Sequence, residues 1–369
     1  MALRPLSAIV LAAGEGTRMR SETPKPLHRL CGRPMVLHVL DALAELPVER
    51  VVVVVGYRSV DVVKTVQAEA PSELRIEFVE QSEPLGTGDA TAVALTGFDK
   101  GADLADGDLV VLPGDTPLLR PATLAELVRV HRRSDAAVTL LAARVSDPTG
   151  HARLVRSPSG NVTRIAEHAD AVTGQLENDE VATSIYCFRH GVLAPALRRL
   201  SPAEARGEYY LTDTIAVLDA AGYRVVTAVV ADPVEAAGVN DRAQLAAAEA
   251  VLRERLNERW MRRGVTMADP HHTYLDFGVE LGEDVVLEPG VYLEGTTRVG
   301  RGAVVGPDCH LVDCVVGAGA KVAQTVARNA VIGAGAVDGP FACLDRGSRV
   351  EAHVVTGAFA MIGFDDERG

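Results

Sequence analysis

The chain has 369 residues, enough for two or three domains at about 150 residues each. Charged residues make up 24% and hydrophobic ones 47%, a globular balance that excludes a mainly disordered chain, and no apolar run reaches the ~18 to 20 residues that span a bilayer. The net charge of −13 argues against general nucleic-acid binding, yet leaves room for a local cationic site that takes an anionic small molecule.

In chain order, Leu6–Ala12 is apolar and bounded by glycine; it is too short for a signal peptide and reads as a buried first strand. Val51–Gly56 and Leu109–Leu112 have the same texture, with helical patterns at Met35–Leu46, Val60–Ala70 and Ala122–Arg132. Alternating strands and helices predict an α/β domain with a mostly parallel sheet, which binds ligands beyond the carboxyl ends of its strands. Ala136–Arg144, Ala152–Arg156, Val162–Ala166 and Thr183–Phe188 then read as successive strands that extend this sheet. Arg242–Arg263 predicts one connecting helix, stopped by Gly264. Beyond Asp276 a hexapeptide repeat sets in: Leu281, Leu287, Leu293, Val299, Val305 and Leu311 recur every six residues. That period predicts a parallel β-helix of three short strands per coil. Its register slips near Val315-Val316-Gly317 and returns at Ile332, Leu344 and Val350, giving roughly four coils. The predicted bounds are 1–231 for the first domain, 232–264 for the connecting helix, 265–357 for the β-helix and 358–369 for a tail. Five cysteines (Cys31, Cys187, Cys309, Cys314 and Cys343) without a CxxC fit reduced thiols in a cytoplasmic protein.

Chemistry concentrates after the first strand. Ala13-Gly14-Glu15-Gly16-Thr17-Arg18-Met19 is followed by Pro24-Lys25-Pro26. A glycine-rich loop after a strand offers backbone N–H groups to phosphates. The third glycine of a dinucleotide fingerprint is replaced by Met19, and the Gly-Lys-Ser/Thr of a Walker loop is missing. Arg18 and Lys25 would put two cations around one polyphosphate. Lys25 is one of only four lysines among 37 basic residues (with Lys64, Lys100 and Lys321), which favours a specific use for it.

Leu11-Ala12-Ala13-Gly14-x-Gly16-Thr17-Arg18-Met19 with Pro24-Lys25 resembles the signature of sugar-1-phosphate nucleotidylyltransferases. The chain is most similar to the uridylyltransferase domain of the bifunctional N-acetylglucosamine-1-phosphate uridylyltransferase/glucosamine-1-phosphate acetyltransferase family. The likeness continues at Gln81, Leu85-Gly86-Thr87-Gly88, Pro113-Gly114-Asp115-Thr116-Pro117-Leu118, Ile165-Ala166-Glu167-His168, Glu208-Tyr209-Tyr210-Leu211-Thr212-Asp213 and Gly238-Val239-Asn240-Asp241-Arg242. It implies a Rossmann-like, GT-A-like nucleotidyltransferase domain followed by a short left-handed parallel β-helix. It further implies a nucleoside triphosphate and a sugar 1-phosphate as substrates, Mg²⁺ as cofactor, no nucleic acid or membrane, and a homotrimer built through the β-helix.

By that resemblance, Arg18 and Lys25 are the catalytic cations and Asp115 and Asn240 the Mg²⁺ ligands. Leu11, Ala12, Ala13, Gly14, Gly16, Gln81, Gly86 and Thr87 hold the nucleotide, with Gln81 at the edge of uracil. Ala152, Glu167, Ala182 and Thr212 stand at the sugar positions. Taken alone, Asp115 fits an Asx turn and Asn240-Asp241 a helix N-cap; their joint order favours function.

Three positions depart from the family pattern. Ala152 replaces a sugar-contacting glycine, Ala182 replaces an asparagine that binds the N-acetylated sugar, and Asp89 replaces a histidine. In the repeat, Cys343-Leu344-Asp345-Arg346-Gly347 has an acid where the family places a functional arginine, and the chain stops at Gly369, before the later coils. The expectation is therefore no acetyltransferase activity. Three functional readings follow: a UTP-dependent sugar-1-phosphate nucleotidylyltransferase; the same reaction with GTP or dTTP and another hexose or cyclitol phosphate; or an inactive scaffold held together by the β-helix.

Overall fold

The computed structural model describes residues 4–98, 107–166, 179–202 and 207–363. Two compact units emerge, one of residues Met1–His28 and Pro34–Gln244, the other of Arg29–Arg33 and Leu245–Gly369.

In the first unit nine described strands form one sheet. Its main order is Val225–Val229, Val138–Arg144, Glu180–Arg189, Asp108–Pro113, Leu6–Leu11, Val48–Val55 and Ile76–Glu80. Leu6–Leu11 lies parallel to Val48–Val55 on one side and to Asp108–Pro113 on the other. Such a strand is covered on both faces by helices and so reads as an unbroken apolar run; Ala8, Ile9 and Val10 are each fully buried. Glu180–Arg189 runs antiparallel to both of its main-sheet neighbours and carries Arg153–Arg156 and Val162–Ala166 beside it. The predicted strands of this unit are present, with bounds shifted by a few residues. The predicted helices appear at Met35–Ala44, Ser59–Glu69 and Pro121–Ser134.

In the second unit the helix Arg242–Met261, which enters it at Leu245, leads into a left-handed parallel β-helix whose three described sheets hold five, six and five strands. Each coil pairs in register with the next, as Tyr292 with His310 and Leu293 with Leu311. Leu287, Leu293, Val305 and Leu311 are wholly buried along the axis. The stack is longer than the repeat predicts. It begins at Thr266–Met267 and Thr273–Leu275 and reaches Met361–Ile362. The first coil escapes the period because a turn at Pro270–His272, capped by the Asp269 carboxylate, adds residues at a corner. The slip near Val316 has the opposite cause: inward positions Leu311, Val316, Val322, Ala327 and Ile332 include sides one residue short, and the core is unbroken. Among the described residues of the prism, one buried inward side chain is acidic. Asp338 is 1% exposed and its two carboxylate oxygens accept from the hydroxyls of Thr325 and Thr356, each at 2.9 Å.

Residues Arg29–Arg33 belong with this unit rather than with their sequence neighbours. The Cys31 N–H donates to Glu249 Oε2 at 2.9 Å, and the Cys31 carbonyl accepts from the Phe277 N–H at 2.8 Å. All five cysteines are unpaired, and four of them are buried. Burial pushes the Cys309 and Cys314 thiols up, so neither is a ready thiolate. No described helix is long and apolar enough to cross a membrane.

Candidate nucleotide site

Parallel strands bring their carboxyl ends to one edge of the first unit. The loop after the first strand is fixed there by its own backbone: Ala12 N–H donates to Val54 O at 2.9 Å, Gly114 N–H to Leu11 O at 2.8 Å, and Tyr57 N–H to Ala13 O at 3.4 Å. Leu11 and Ala13 are half-buried, whereas Gly14 is exposed.

The two loop glycines differ in what requires them. Gly16 has φ +70°, and a Cβ there would come 2.5 Å from Lys25 Cβ, so the fold itself demands glycine. Gly14 has no heavy atom within 4 Å of where a Cβ would stand. Nothing in the chain excludes a side chain at Gly14; what it keeps open is the space in front of the loop. Close approach of a ligand to the backbone is the other reason for a glycine.

Four side chains, drawn from separate parts of the sequence, meet at this edge. The Lys25 ammonium donates to Asp115 Oδ2 and, at 2.9 Å, to Asn240 Oδ1. Arg18 also donates to Asn240 Oδ1 at 2.9 Å. The side chains of Lys25 and Asp115 are 13% and 21% exposed, so the pair is largely sheltered from screening but still reachable. Lys25 follows Pro24 in a short 3₁₀ turn, Lys25–Leu27, which sets its direction. Asp115 does not form an Asx turn: its carboxylate goes to Lys25, while its backbone carbonyl accepts from Val239 N–H at 2.9 Å. That backbone bond draws the Gly238–Asn240 segment alongside.

Asn240 and Asp241 divide the two roles that their sequence left open. Asp241 Oδ1 accepts from Gln244 N–H at 2.8 Å, and Gln244 Oε1 accepts from Asn240 N–H at 2.7 Å. This reciprocal arrangement caps the helix. It leaves the Asn240 side chain free for Arg18 and Lys25.

On the far side of the edge lies Gln81, 8% exposed, with its N–H on Val55 O at 2.8 Å. Its side-chain nitrogen donates to Gly86 O at 3.1 Å and to Asp89 Oδ2 at 2.7 Å. The Gly86 loop is clamped against the segment Tyr209–Leu211. Gly88 N–H donates to Tyr209 O at 2.7 Å, Tyr209 N–H to Leu85 O at 2.8 Å, and Leu211 N–H to Thr87 Oγ1 at 3.0 Å. The Thr87 hydroxyl thus anchors its loop, and Thr212 is buried in the turn that follows.

Ala152 and Ala182 adjoin, the Ala182 N–H donating to Ala152 O at 3.0 Å. Both are half-buried and lack any polar side-chain atom. Glu167 lies outside the described residues. Two contributors escaped the sequence reading: Asp89, visible there only as a departure, and Gly56, where a Cβ would fall 2.6 Å from Ala13 O. A glycine ending a strand beside the glycine-rich loop was the available signal.

Asp115 and Asn240 present hard oxygen donors that already gather around an ammonium. A donor set of this chemistry fits Mg²⁺, which takes one or two protein oxygens and completes its shell with phosphate and water. Among the described residues no group of three or more His, Cys, Asp or Glu side chains is arranged to hold a metal.

The MobA-like NTP transferase domain family matches residues 8–216. The chain is 47% identical over 332 residues to the bifunctional protein GlmU of Thermobifida fusca, covering 90% of this chain and 68% of that protein. Against the bifunctional protein GlmU of Streptomyces avermitilis it is 44% identical over 359 residues, with 97% and 73% covered. Against that of Kineococcus radiotolerans it is 46% identical over 355 residues, with 96% and 71% covered.

Proposed function

The chain belongs to the family of the bifunctional GlmU proteins and is a nucleotidyltransferase, and we propose that it joins UTP to a sugar 1-phosphate, releasing pyrophosphate. The observation that carries this reading is the meeting of Arg18, Lys25, Asp115 and Asn240 beside the open face of Gly14.

A phosphate oxygen of the sugar phosphate attacks the α-phosphorus in line, the bond from that phosphorus to the bridging oxygen breaks, and pyrophosphate leaves. Such a step needs alignment and charge neutralisation rather than a protein nucleophile. The backbone from Leu11 to Gly14, with Gly16 setting the turn, lines the triphosphate. Arg18 and Lys25 leave Asn240 and Asp115 for the phosphate oxygens and stabilise the charge that builds there. Mg²⁺ held by Asp115 and Asn240 would supply further neutralisation of that charge. Gln81, Gly86 and Thr87 hold the base. Ala152, Ala182 and Thr212 border the sugar, and the family resemblance assigns Glu167 to it as well.

The adjacency of Ala152 and Ala182 supports a second reading of the acceptor: with no side-chain donor or acceptor at either, it is a different hexose or a cyclitol phosphate, with GTP or dTTP as donor. The test is Mg²⁺-dependent pyrophosphate release over a panel of nucleotides and sugar phosphates. Release with UTP is expected, with a loss of roughly 10²- to 10³-fold on Asp115→Ala. Strict use of N-acetylglucosamine 1-phosphate removes the second reading, and silence across the panel removes both.

We read the β-helix as a trimerisation module without acetyl transfer. Asp345 supports this, because an acid stands where the resemblance puts a basic substrate contact. An outward-facing column on one sheet of the prism, where Tyr292, His310, Val326, Cys343 and Met361 succeed one another and Tyr292, Val326 and Met361 are exposed, supports self-association. Thiol release from acetyl-CoA with glucosamine 1-phosphate, or a monomer in sedimentation, would refute the respective half. The unpaired thiols suit a cytoplasmic location.

A further inference from the structure

The amide of Gln81 is held in one orientation by chemistry rather than by shape. Its nitrogen faces Asp89 Oδ2 at 2.7 Å and Gly86 O at 3.1 Å. A carboxylate and a backbone carbonyl only accept, so only the NH₂ end can point at them. Both amide hydrogens are thereby taken. Among the described residues no hydrogen bond reaches Gln81 Oε1, although the residue is only 8% exposed. What Gln81 can offer a ligand is one oxygen acceptor.

Asp89 is half of that lock. It sits in the first turn of the helix Thr87–Ala94, the helix opened by the Gly86 loop. A histidine at 89, as the family resemblance leads one to expect, could donate or accept, whereas the Asp89 carboxylate only accepts. Without Asp89 one anchor remains, the Gly86 carbonyl.

We propose that Asp89 is a specificity-determining positioning residue: it holds Gln81 so that an oxygen meets the base, selecting nucleotides with an N–H at the centre of their pairing edge. Uracil, thymine and guanine have that donor. Cytosine and adenine put a ring nitrogen lone pair there, which faces the oxygen repulsively. The proposal rests on the nucleotidyl-transfer reading above, with Gln81 at the base, and it gives the donors named there, UTP, GTP and dTTP, one shared ground: each base carries that N–H.

The test is binding rather than turnover: dissociation constants of UTP and CTP for the full chain with Mg²⁺ and no sugar phosphate, by calorimetry. The wild type is expected to favour UTP by roughly 10- to 100-fold, the worth of one well-placed base contact. Asp89→Ala should bring the two constants within about threefold of one another, the size left when a single anchored hydrogen bond is lost. Asp89→Asn should keep most of the preference, because its carbonyl still accepts from Gln81. A merely structural Asp89, favourable at a helix N-terminus, would weaken UTP and CTP alike and leave their ratio unchanged, because both carry the same triphosphate. Should Asp89→Ala fail to fold, Asp89→Ser, too short to reach the amide, gives the same expectation. An unchanged ratio in Asp89→Ala or Asp89→Ser, or equal binding by the wild type, overturns the proposal. Selective binding without pyrophosphate release would instead sink the transferase reading and leave this one standing.

Discussion

Along the prism each inward side chain packs on its counterpart one coil away, so Leu293 meets Leu311 and almost every contact is local and repeated. At the strand ends of the first unit the reverse holds. Lys25 reaches Asp115 across 90 positions and Asn240 across 215, and Arg18 reaches Asn240 across 222. The prism uses its interior for stability. The strand edge keeps charges that are largely sheltered yet still reachable, and they hold one another rather than a core. Changes at the two places should therefore separate loss of function from loss of fold.

The largest effect is expected from Lys25→Ala, with kcat for pyrophosphate release falling roughly 10²- to 10³-fold while the stability lost in urea titration, from leaving Asp115 without its ammonium, stays at about 1–3 kcal/mol. A matching collapse of stability would break the contrast. Asp108 marks where the first unit behaves like the prism. It is fully buried among Arg4, Arg132 and His131. Burial pushes its carboxyl up, but His131 and Arg132 outweigh this and hold it below the ordinary range. A lowered folded value adds stability above the unfolded value of about 3.9, lost as pH falls through the folded value. Asp108→Asn should cost roughly 3–5 kcal/mol at neutral pH, because the surrounding cations lose their partner. The difference from wild type should narrow in denaturant titrations below about pH 4.

In the prism, Leu311→Ala should cost about 2–5 kcal/mol, read by denaturant unfolding, with turnover per folded molecule retained. The smallest effect is expected at Thr325→Val. It leaves Asp338 bonded by Thr356 alone, at about 1–3 kcal/mol in the same titration. If it matched Leu311→Ala, the polar rung would matter as much as the apolar ones.

Legibility followed the same division. Strand Leu6–Leu11 and the coils from Leu281 to Leu311 announce themselves because a local pattern is enough to build them. The first coil did not, because the turn at Pro270–His272 lengthens one side. Asp338 did not, because a polar inward residue is recognisable only once Thr325 and Thr356 are seen beside it. At the nucleotide edge, Arg18, Lys25, Asp115 and Asn240 stood out through a motif order, not a spacing. That Asn240 faces the cations while Asp241 caps the helix is decided by the Gln244 side chain. The bond between Gln81 and Asp89 depends on how one loop closes, which no period encodes.

The strand-like stretch around Cys31 also bears on how the chain is made. Its backbone partner Glu249 lies 218 residues further on. At the roughly 5–20 residues per second of synthesis, Cys31 waits on the order of 10 to 40 seconds for that partner to be added. The first unit's sheet can close in that interval, whereas the second cannot finish assembling its opening coil until the long helix has left the ribosome. Any nascent chain halted before Glu249 carries an unclaimed backbone N–H at Cys31.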